Sequence, residues 1–167
     1  MNDIFDGIHL LLKSAEYDEA LKKLYNIKLE SINPPYDTDL NHSWYIVGDI
    51  FYKNKSYFSA IKAFKNALID EPDDIEASLA LSNSYSEVDL HKESIITLEK
   101  ALLVEKANEK LNYNLGNAWF DLGNYKVAIK YYRKIIKDEI LYSLSSSNID
   151  ACYYNIKKHD TRPVSKE

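Results

Sequence analysis

Histidine and cysteine are the first residues to consider for chemistry in this chain, because their side chains ligate metals and act as bases or nucleophiles. The sequence contains four histidines and one cysteine, at His9, His42, His91, His159 and Cys152. No histidine has a second histidine three to five residues away, and Cys152 has no cysteine partner, so the spacing of a zinc site is absent. We therefore expect no metal ligands, and we interpret Cys152 as a small buried hydrophobic residue.

Carboxylates cluster at Asp73, Asp74 and Glu76, where they could hold a cation or cap a helix. Aspartate is a preferred N-cap residue and acids stabilise a helix N-terminus, so we interpret Asp74 as an N-cap. The phosphate-binding patterns G-x-G-x-x-G and G-x-x-x-x-G-K and the zinc pattern H-E-x-x-H are absent from the sequence. The residues predict a protein that is not an enzyme and has no catalytic residue, no metal and no cofactor.

The composition is typical of a folded protein, since 46% of the 167 residues are hydrophobic and 28% are charged. The formal net charge of −5 gives no electrostatic reason to bind nucleic acid or an anionic membrane. No apolar run approaches bilayer length, and the N-terminus lacks the basic start of a signal peptide. With a single cysteine, these features indicate a cytoplasmic protein.

An internal repeat supplies the elements that would position functional side chains. Large residues recur at helical spacing, and small residues between them would let two antiparallel helices approach closely. When the sequence is shifted by 34 residues, small residues align in two columns: Gly48, Ser82 and Gly116, and Ala60, Ser94 and Ala128. We expect Gly48 to face Ala60 and Ala67 where the helices cross. A fixed period of this length predicts an array of helical hairpins.

Residues 41–74 carry the pattern most completely, at Trp44, Val47, Gly48, Phe51, Tyr57, Ala60, Phe64, Ala67 and Pro72. This pattern resembles the tetratricopeptide repeat (TPR), a helix–turn–helix unit of 34 residues. The resemblance implies an all-α solenoid of TPR-type helical hairpins, wound into a right-handed superhelix. It sets a divergent first repeat at 1–34, a loop insertion at 35–40, and further repeats at 41–74, 75–108 and 109–142.

The period fades after residue 142. Ile149, Cys152, Tyr153 and Ile156 still form a one-sided apolar stripe, whereas Asp150 occupies the small-residue position. A last helix with one apolar face would cover the open end of the array, as a solenoid requires. The sequence therefore predicts a capping helix at 143–158 and a flexible tail at 159–167.

In stacked hairpins the first helix of each pair lines the concave side, and helical geometry decides which side chains point into it. We expect a peptide-binding groove there, because aromatic residues stand beside amides and charges. Asn83 and Asn117 occupy equivalent positions and should face the same channel. The predicted groove residues are His42, Tyr45, Asp49, Tyr52, Lys53, Leu79, Asn83, Ser86, Lys110, Tyr113, Asn117 and Phe120.

One TPR ligand can be tested on the residues. The carboxylate clamp of TPR cochaperones would need a lysine and an asparagine where this chain has Tyr45 and Asp49, and an arginine where it has Asn114. Asp49 would repel a terminal carboxylate, so the sequence argues against binding of heat-shock chaperone tails.

The prediction is a non-catalytic protein–protein interaction module that binds a peptide segment of a partner protein in its concave groove. Two alternatives remain: a cytoplasmic chaperone of secreted proteins, and a self-assembling scaffold. Neither nucleic acid nor a membrane is expected as a partner, and self-association stays open.

Overall fold

The computed structural model describes residues 3–160, with side chains through residue 158, and divides into two compact units. Unit 1 extends to Val88 and unit 2 begins at Asp89. Within the described residues, unit 1 contains α1 (Asp6–Lys13), α2 (Tyr17–Leu24), β1 (Tyr25–Asn26), β2 (Ser31–Ile32), α3 (Leu40–Lys53), α4 (Tyr57–Asp70) and α5 (Ile75–Ser86), and unit 2 contains α6 (His91–Val104), α7 (Glu109–Asp121), α8 (Tyr125–Tyr132) and α9 (Glu139–Asp160). In each unit, helices that follow one another pack together, which confirms the predicted all-α class of helical hairpins.

The turns inside the hairpins show the repeat in the backbone. Lys55, Asp89 and Gly123 each take a positive φ, of 58°, 59° and 74°, and they are 34 residues apart in the chain. Ala15 has the same conformation, with φ 59°, in the turn between α1 and α2. Since only glycine enters this region without steric cost, each non-glycine residue here is held by its neighbours.

Side-chain caps begin the first helix of each later hairpin. Asp74 Oδ1 accepts a hydrogen bond from the Ala77 amide at 3.0 Å, which confirms the predicted N-cap of α5. Asn108 caps α7 in the same way through the Leu111 amide at 3.0 Å. These caps satisfy amides that the helix leaves unpaired and fix where α5 and α7 start.

At the helix crossings the nearest neighbours of the glycines are aromatic rings, whereas the sequence led us to expect alanines. A Cβ at Gly48 would lie 2.6 Å from Phe64 Cε1, and a Cβ at Gly116 would lie 2.6 Å from Tyr132 Cδ1. Phe64 and Tyr132 are 2% and 1% exposed. The missing Cβ therefore makes room for a buried ring, and the ring fills the space between the helices.

The first hairpin departs from a regular repeat in a way that the sequence did not indicate. Its helices have eight residues each, and α2 runs directly into an antiparallel ribbon in which Tyr25 pairs with Ile32 and Asn26 with Ser31. A 3₁₀ turn at Tyr36–Thr38 lies in the predicted insertion. The Asn33 side chain, which follows β2, donates to the carbonyls of Lys22 and Lys23 in the last turn of α2. It thus provides hydrogen-bond partners at the C-terminus of this helix.

Helix α9 packs on α8 and α7 and supplies the predicted cap. Cys152 is fully buried there beside Ile149 and Ile156, as expected, and burial raises the pKa of its thiol. The prediction for Tyr153 is wrong: its side chain is 43% exposed and its hydroxyl accepts a hydrogen bond from Arg133 Nη2 at 2.8 Å. The helix contains the predicted range 143–158, and the predicted tail lies outside the described residues except for His159 and Asp160, whose backbone continues α9.

Candidate functional site

A pocket of about 190 Å³ opens in unit 1, where α3, α4 and α5 meet. The α3 residues of its wall are spaced by four and three positions, so one helix face supplies them. The rings of Tyr45 and Phe64 lie 5.7 Å apart. The pocket is lined by Tyr45, Asp49, Tyr52, Phe64, Glu76, Leu79, Ala80 and Asn83. It is called the unit 1 pocket below.

Charged groups at the rim of this pocket are already paired. Lys53 Nζ lies 2.6 Å from Asp49 Oδ2, and this hydrogen bond raises the pKa of Lys53. Lys53 also lies over the ring of Tyr17, 5.3 Å from its centroid. The carboxylate of Asp49 therefore carries a partner, and the apolar and amide groups of the wall are left to meet a ligand.

The phenols of the pocket stay protonated at neutral pH. Burial and then the hydrogen bond to Glu87 raise the pKa of Tyr52 to about 12, and its hydroxyl donates to Glu87 Oε1 at 3.1 Å. Burial, followed by the charge of Asp49, raises the pKa of Tyr45. Asn83 is exposed on α5 and presents an amide at the pocket. The pocket thus combines amide and phenol groups and aromatic surface with the carboxylates of Asp49 and Glu76.

At the corresponding place in unit 2, polar side chains of the protein bind one another. Tyr113 and Tyr132 repeat the ring contact, with centroids 6.0 Å apart. The Tyr132 hydroxyl donates to Asn117 Oδ1 at 2.7 Å, and Asn148 Nδ2 of α9 donates to the same oxygen at 3.2 Å. The structure does not support the expectation that Asn83 and Asn117 present equivalent free amides, because the Asn117 oxygen binds two internal donors.

Residues 109–139, which contain α7 and α8, match the family model of the tetratricopeptide repeat. The match covers one hairpin, and the remaining helices follow the same hairpin order. Within this chain, the hairpin of α7 and α8 is a tetratricopeptide repeat.

Solved TPR structures share the fold at low sequence identity. The Sgt2 TPR domain from Aspergillus fumigatus is 20% identical, with a TM-score of 0.64 over 76% of this chain and 87% of that one. MamA MSR-1 C2 is 18% identical, with a TM-score of 0.70 over 93% and 86%. The second TPR domain of human RPAP3, in complex with the HSP70 peptide SGPTIEEVD, is 16% identical, with a TM-score of 0.61 over 68% and 98%. Comparison with curated protein sequences finds no match.

The other predicted groove residues of this chain have different surroundings. In unit 1, the half-buried Ser86 lies outside the pocket lining, and His42 turns toward α1, where its ring lies 4.6 Å from that of Phe5 and its Nε2 lies 3.3 Å from His9 Nε2. In unit 2, Phe120 is half-buried against Tyr125, with ring centroids 5.2 Å apart, and Lys110 is exposed.

His9 and His42 are in contact in the structure, although their spacing in the sequence does not indicate a metal site. Among residues 3–160, no third histidine, cysteine or carboxylate joins such a group, and the described helices include none long and apolar enough to cross a membrane.

The predicted groove residues lack three members of the unit 1 pocket, Phe64, Glu76 and Ala80, of which Glu76 was interpreted only as part of an acidic cluster. Phe64 was interpreted as a packing residue of the repeat. It is buried, and it nevertheless forms part of the pocket wall. Ala80 is small enough to leave the pocket open. The alignment of the repeats does show that the two units differ at these positions. Two repeat periods after Ala80 the chain has Asn148, and two periods after Phe64 it has Tyr132.

Proposed function

We propose that this chain is a non-catalytic protein-interaction module that binds a peptide segment of a partner protein, anchored in the unit 1 pocket. The observation that carries the proposal is the volume of about 190 Å³. Sites for small molecules and cofactors usually measure about 300–1,000 Å³. The pocket therefore suits one side chain of a longer ligand better than a whole small molecule.

The chemistry of the wall suits an extended peptide. Tyr45, Phe64 and Leu79 would bury an apolar side chain, and the Asn83 amide can donate to one backbone group and accept from another. Such hydrogen bonds to the peptide backbone do not depend on the side chains of the peptide. Asp49 is paired with Lys53, and Glu76 adds a second carboxylate to the lining, so the pocket disfavours a terminal carboxylate.

The rest of the predicted groove belongs to the same proposal. Lys110, Tyr113 and Phe120 on α7 are proposed as groove residues of unit 2, and a neighbour of this fold, the second TPR domain of human RPAP3, is in complex with an HSP70 peptide. This chain lacks the lysine and arginine of the carboxylate clamp, so we propose a different peptide class, with an internal apolar anchor.

The test begins with a displayed random-peptide library selected against the full chain, followed by calorimetry with the selected peptide. We expect Asn83→Ala and Tyr45→Ala each to weaken binding by about tenfold or more, as removal of a central contact does. Phe58→Ala is the matched control, since Phe58 lies on α4 of the same unit with 73% of its surface exposed. Unchanged affinity in both pocket variants would overturn the proposal, provided that their melting curves match wild type.

A further inference from the structure

Helix α6 in unit 2 has two apolar faces, and only one of them is buried. Ile95, Leu98 and Ala101 are at most 5% exposed, whereas Ile96 and Leu103 are 55% and 75% exposed. Ile96 and Leu103 are seven residues apart, so they lie on the same side of the helix, two turns from each other. A groove with a volume of about 680 Å³ runs along this side.

The groove is bordered by lysines. Lys100 on α6, Lys106 just after α6 and Lys134 after α8 line it, and none of the three forms an ion pair with a described residue. Glu99 also lines the groove, and its Oε1 accepts a hydrogen bond from Tyr131 Oη at 3.4 Å. Lys134 Nζ lies 4.6 Å from the centroid of the Tyr131 ring. Positive charge thus concentrates here on a chain whose net charge is −5.

We propose that this face of α6, defined by Ile96, Lys100, Leu103, Lys106 and Lys134, docks an acidic amphipathic helix of a partner protein. The apolar pair at i and i+7 matches the spacing with which a second helix presents its own apolar stripe. From Ile96 to the end of α6 at Val104 the face extends about 12 Å along the axis, at about 1.5 Å per residue, or a little over two turns. The three unpaired lysines select a partner with carboxylates beside its stripe.

The α6 face and the unit 1 pocket are independent sites on different units. The pocket has neutral amide and phenol groups around a small cavity, and the α6 face has an open apolar strip between cations. A variant that loses peptide binding at the pocket should still bind a helix at the α6 face. A variant that loses helix binding at the α6 face should still bind the peptide.

The probe is a fluorescein-labelled synthetic helix of three heptads, with leucine at the a and d positions and glutamate at most others. Fluorescence anisotropy with the full chain should show saturable binding that weakens as salt is added. We expect Leu103→Ser to weaken binding by about tenfold or more, and a combined Lys100→Glu, Lys106→Glu and Lys134→Glu variant to abolish it. The same triple variant should instead bind a lysine version of the probe.

Matched controls separate a docking face from general stickiness. Ile69→Ser removes an equally exposed residue of α4, and Lys22→Glu, Lys23→Glu and Lys28→Glu together change the net charge by the same amount. Both controls should bind the probe like wild type. Equal losses in the control and α6 variants, or equal binding of a probe with scrambled leucine spacing, would overturn the proposal.

Two other occupants of the α6 face are decided by the same variants. Co-sedimentation with phosphatidylserine vesicles that Leu103→Ser abolishes, without probe binding, would assign the face to a membrane. Concentration-dependent self-association that Leu103→Ser abolishes, measured by analytical ultracentrifugation, would assign it to a second copy. Either result in place of probe binding contradicts the proposal.

Discussion

Two helix crossings in this molecule share the same packing of a glycine against an aromatic ring but differ in the polar groups beside them. In unit 1, Gly48 of α3 lies against the ring of Phe64, and in unit 2, Gly116 of α7 lies against the ring of Tyr132. A second aromatic covers each ring, Tyr45 in the first case and Tyr113 in the second. Yet the first crossing borders an open pocket, whereas at the second, polar groups of the chain bind one another.

Three positions account for the difference. Asp49, Phe64 and Ala80 in unit 1 correspond, two repeat periods later, to Asn117, Tyr132 and Asn148 in unit 2. In unit 2 the phenol and the Asn148 amide both donate to the Asn117 oxygen, whereas in unit 1 the phenylalanine has no hydroxyl and the alanine does not reach inward. A repeat can therefore keep its packing while three side chains decide whether its polar groups bind one another or border an open pocket.

The largest effect is expected from removing the helix that closes unit 2. Deletion of residues 143–167 uncovers the cluster of Ala128, Ile129 and Tyr132, which Cys152 helps to bury. The product should remain helical and aggregate, because the exposed cluster is apolar. Circular dichroism and light scattering check this. Deletion of residues 159–167 is the control and should leave the chain monomeric; a monomeric, equally stable product of the longer deletion would contradict the capping role of α9.

Filling the glycine positions should separate the two crossings. Gly116→Leu forces a side chain into the Tyr132 ring and should destabilise the fold by roughly 1–3 kcal/mol or more. Gly48→Leu should cost less, since the Phe64 ring has no hydroxyl hydrogen bond to hold it and can shift toward the neighbouring pocket. Urea melts of both variants measure the difference. A Gly116→Leu melt like that of wild type would contradict the repeat register.

The polar closure of unit 2 should be measurable by itself. Tyr132→Phe and Asn148→Ala each remove one hydrogen bond to Asn117, and each should destabilise the fold by about 1 kcal/mol. Because both bonds end on the same oxygen, their effects should not be additive in a double-mutant cycle. Strictly additive losses would show that the two bonds act independently.

The smallest stability change is expected at Asn83, which the sequence treated as the equivalent of Asn117. Asn83→Ala should weaken peptide binding by about tenfold and leave the melting temperature unchanged, because Asn83 is exposed at the pocket. Asn117→Ala should instead lower the stability by about 1 kcal/mol or more, because it removes the acceptor of two donors. Thermal melts beside calorimetry distinguish them, and matching behaviour of the two variants would contradict the comparison.

The sequence was sufficient for the features that follow from periodicity. The hairpins, the Asp74 cap and burial of Cys152 all depend on which helix face is apolar and on local capping chemistry. It failed where a contact depends on residues far apart in the chain. The ribbon after α2 needs Tyr25 paired with Ile32, and nothing in a helical alignment marks two such short strands.

The candidate functional site was also incompletely predicted, because its contacts depend on residues far apart in the chain. Helical geometry assigned Asn83 and Asn117 to one class, but the Asn117 oxygen accepts hydrogen bonds from Tyr132 on α8 and from Asn148 on α9, thirty-one residues away. Tyr153 followed the apolar spacing of its helix, and the guanidinium of Arg133 nevertheless holds its hydroxyl at the surface. Partners of this kind are fixed by tertiary structure, and a single sequence does not contain them explicitly.

The most direct test of the account transfers the closure of unit 2 into unit 1. The combined variant Asp49→Asn, Phe64→Tyr and Ala80→Asn places the three polar side chains of unit 2 at the corresponding positions around the unit 1 pocket. Calorimetry with the selected peptide should show a loss of affinity of about tenfold or more, with a melting temperature at least equal to that of wild type. Undiminished affinity in this stable variant would contradict the claim that the open pocket of unit 1 is the binding site.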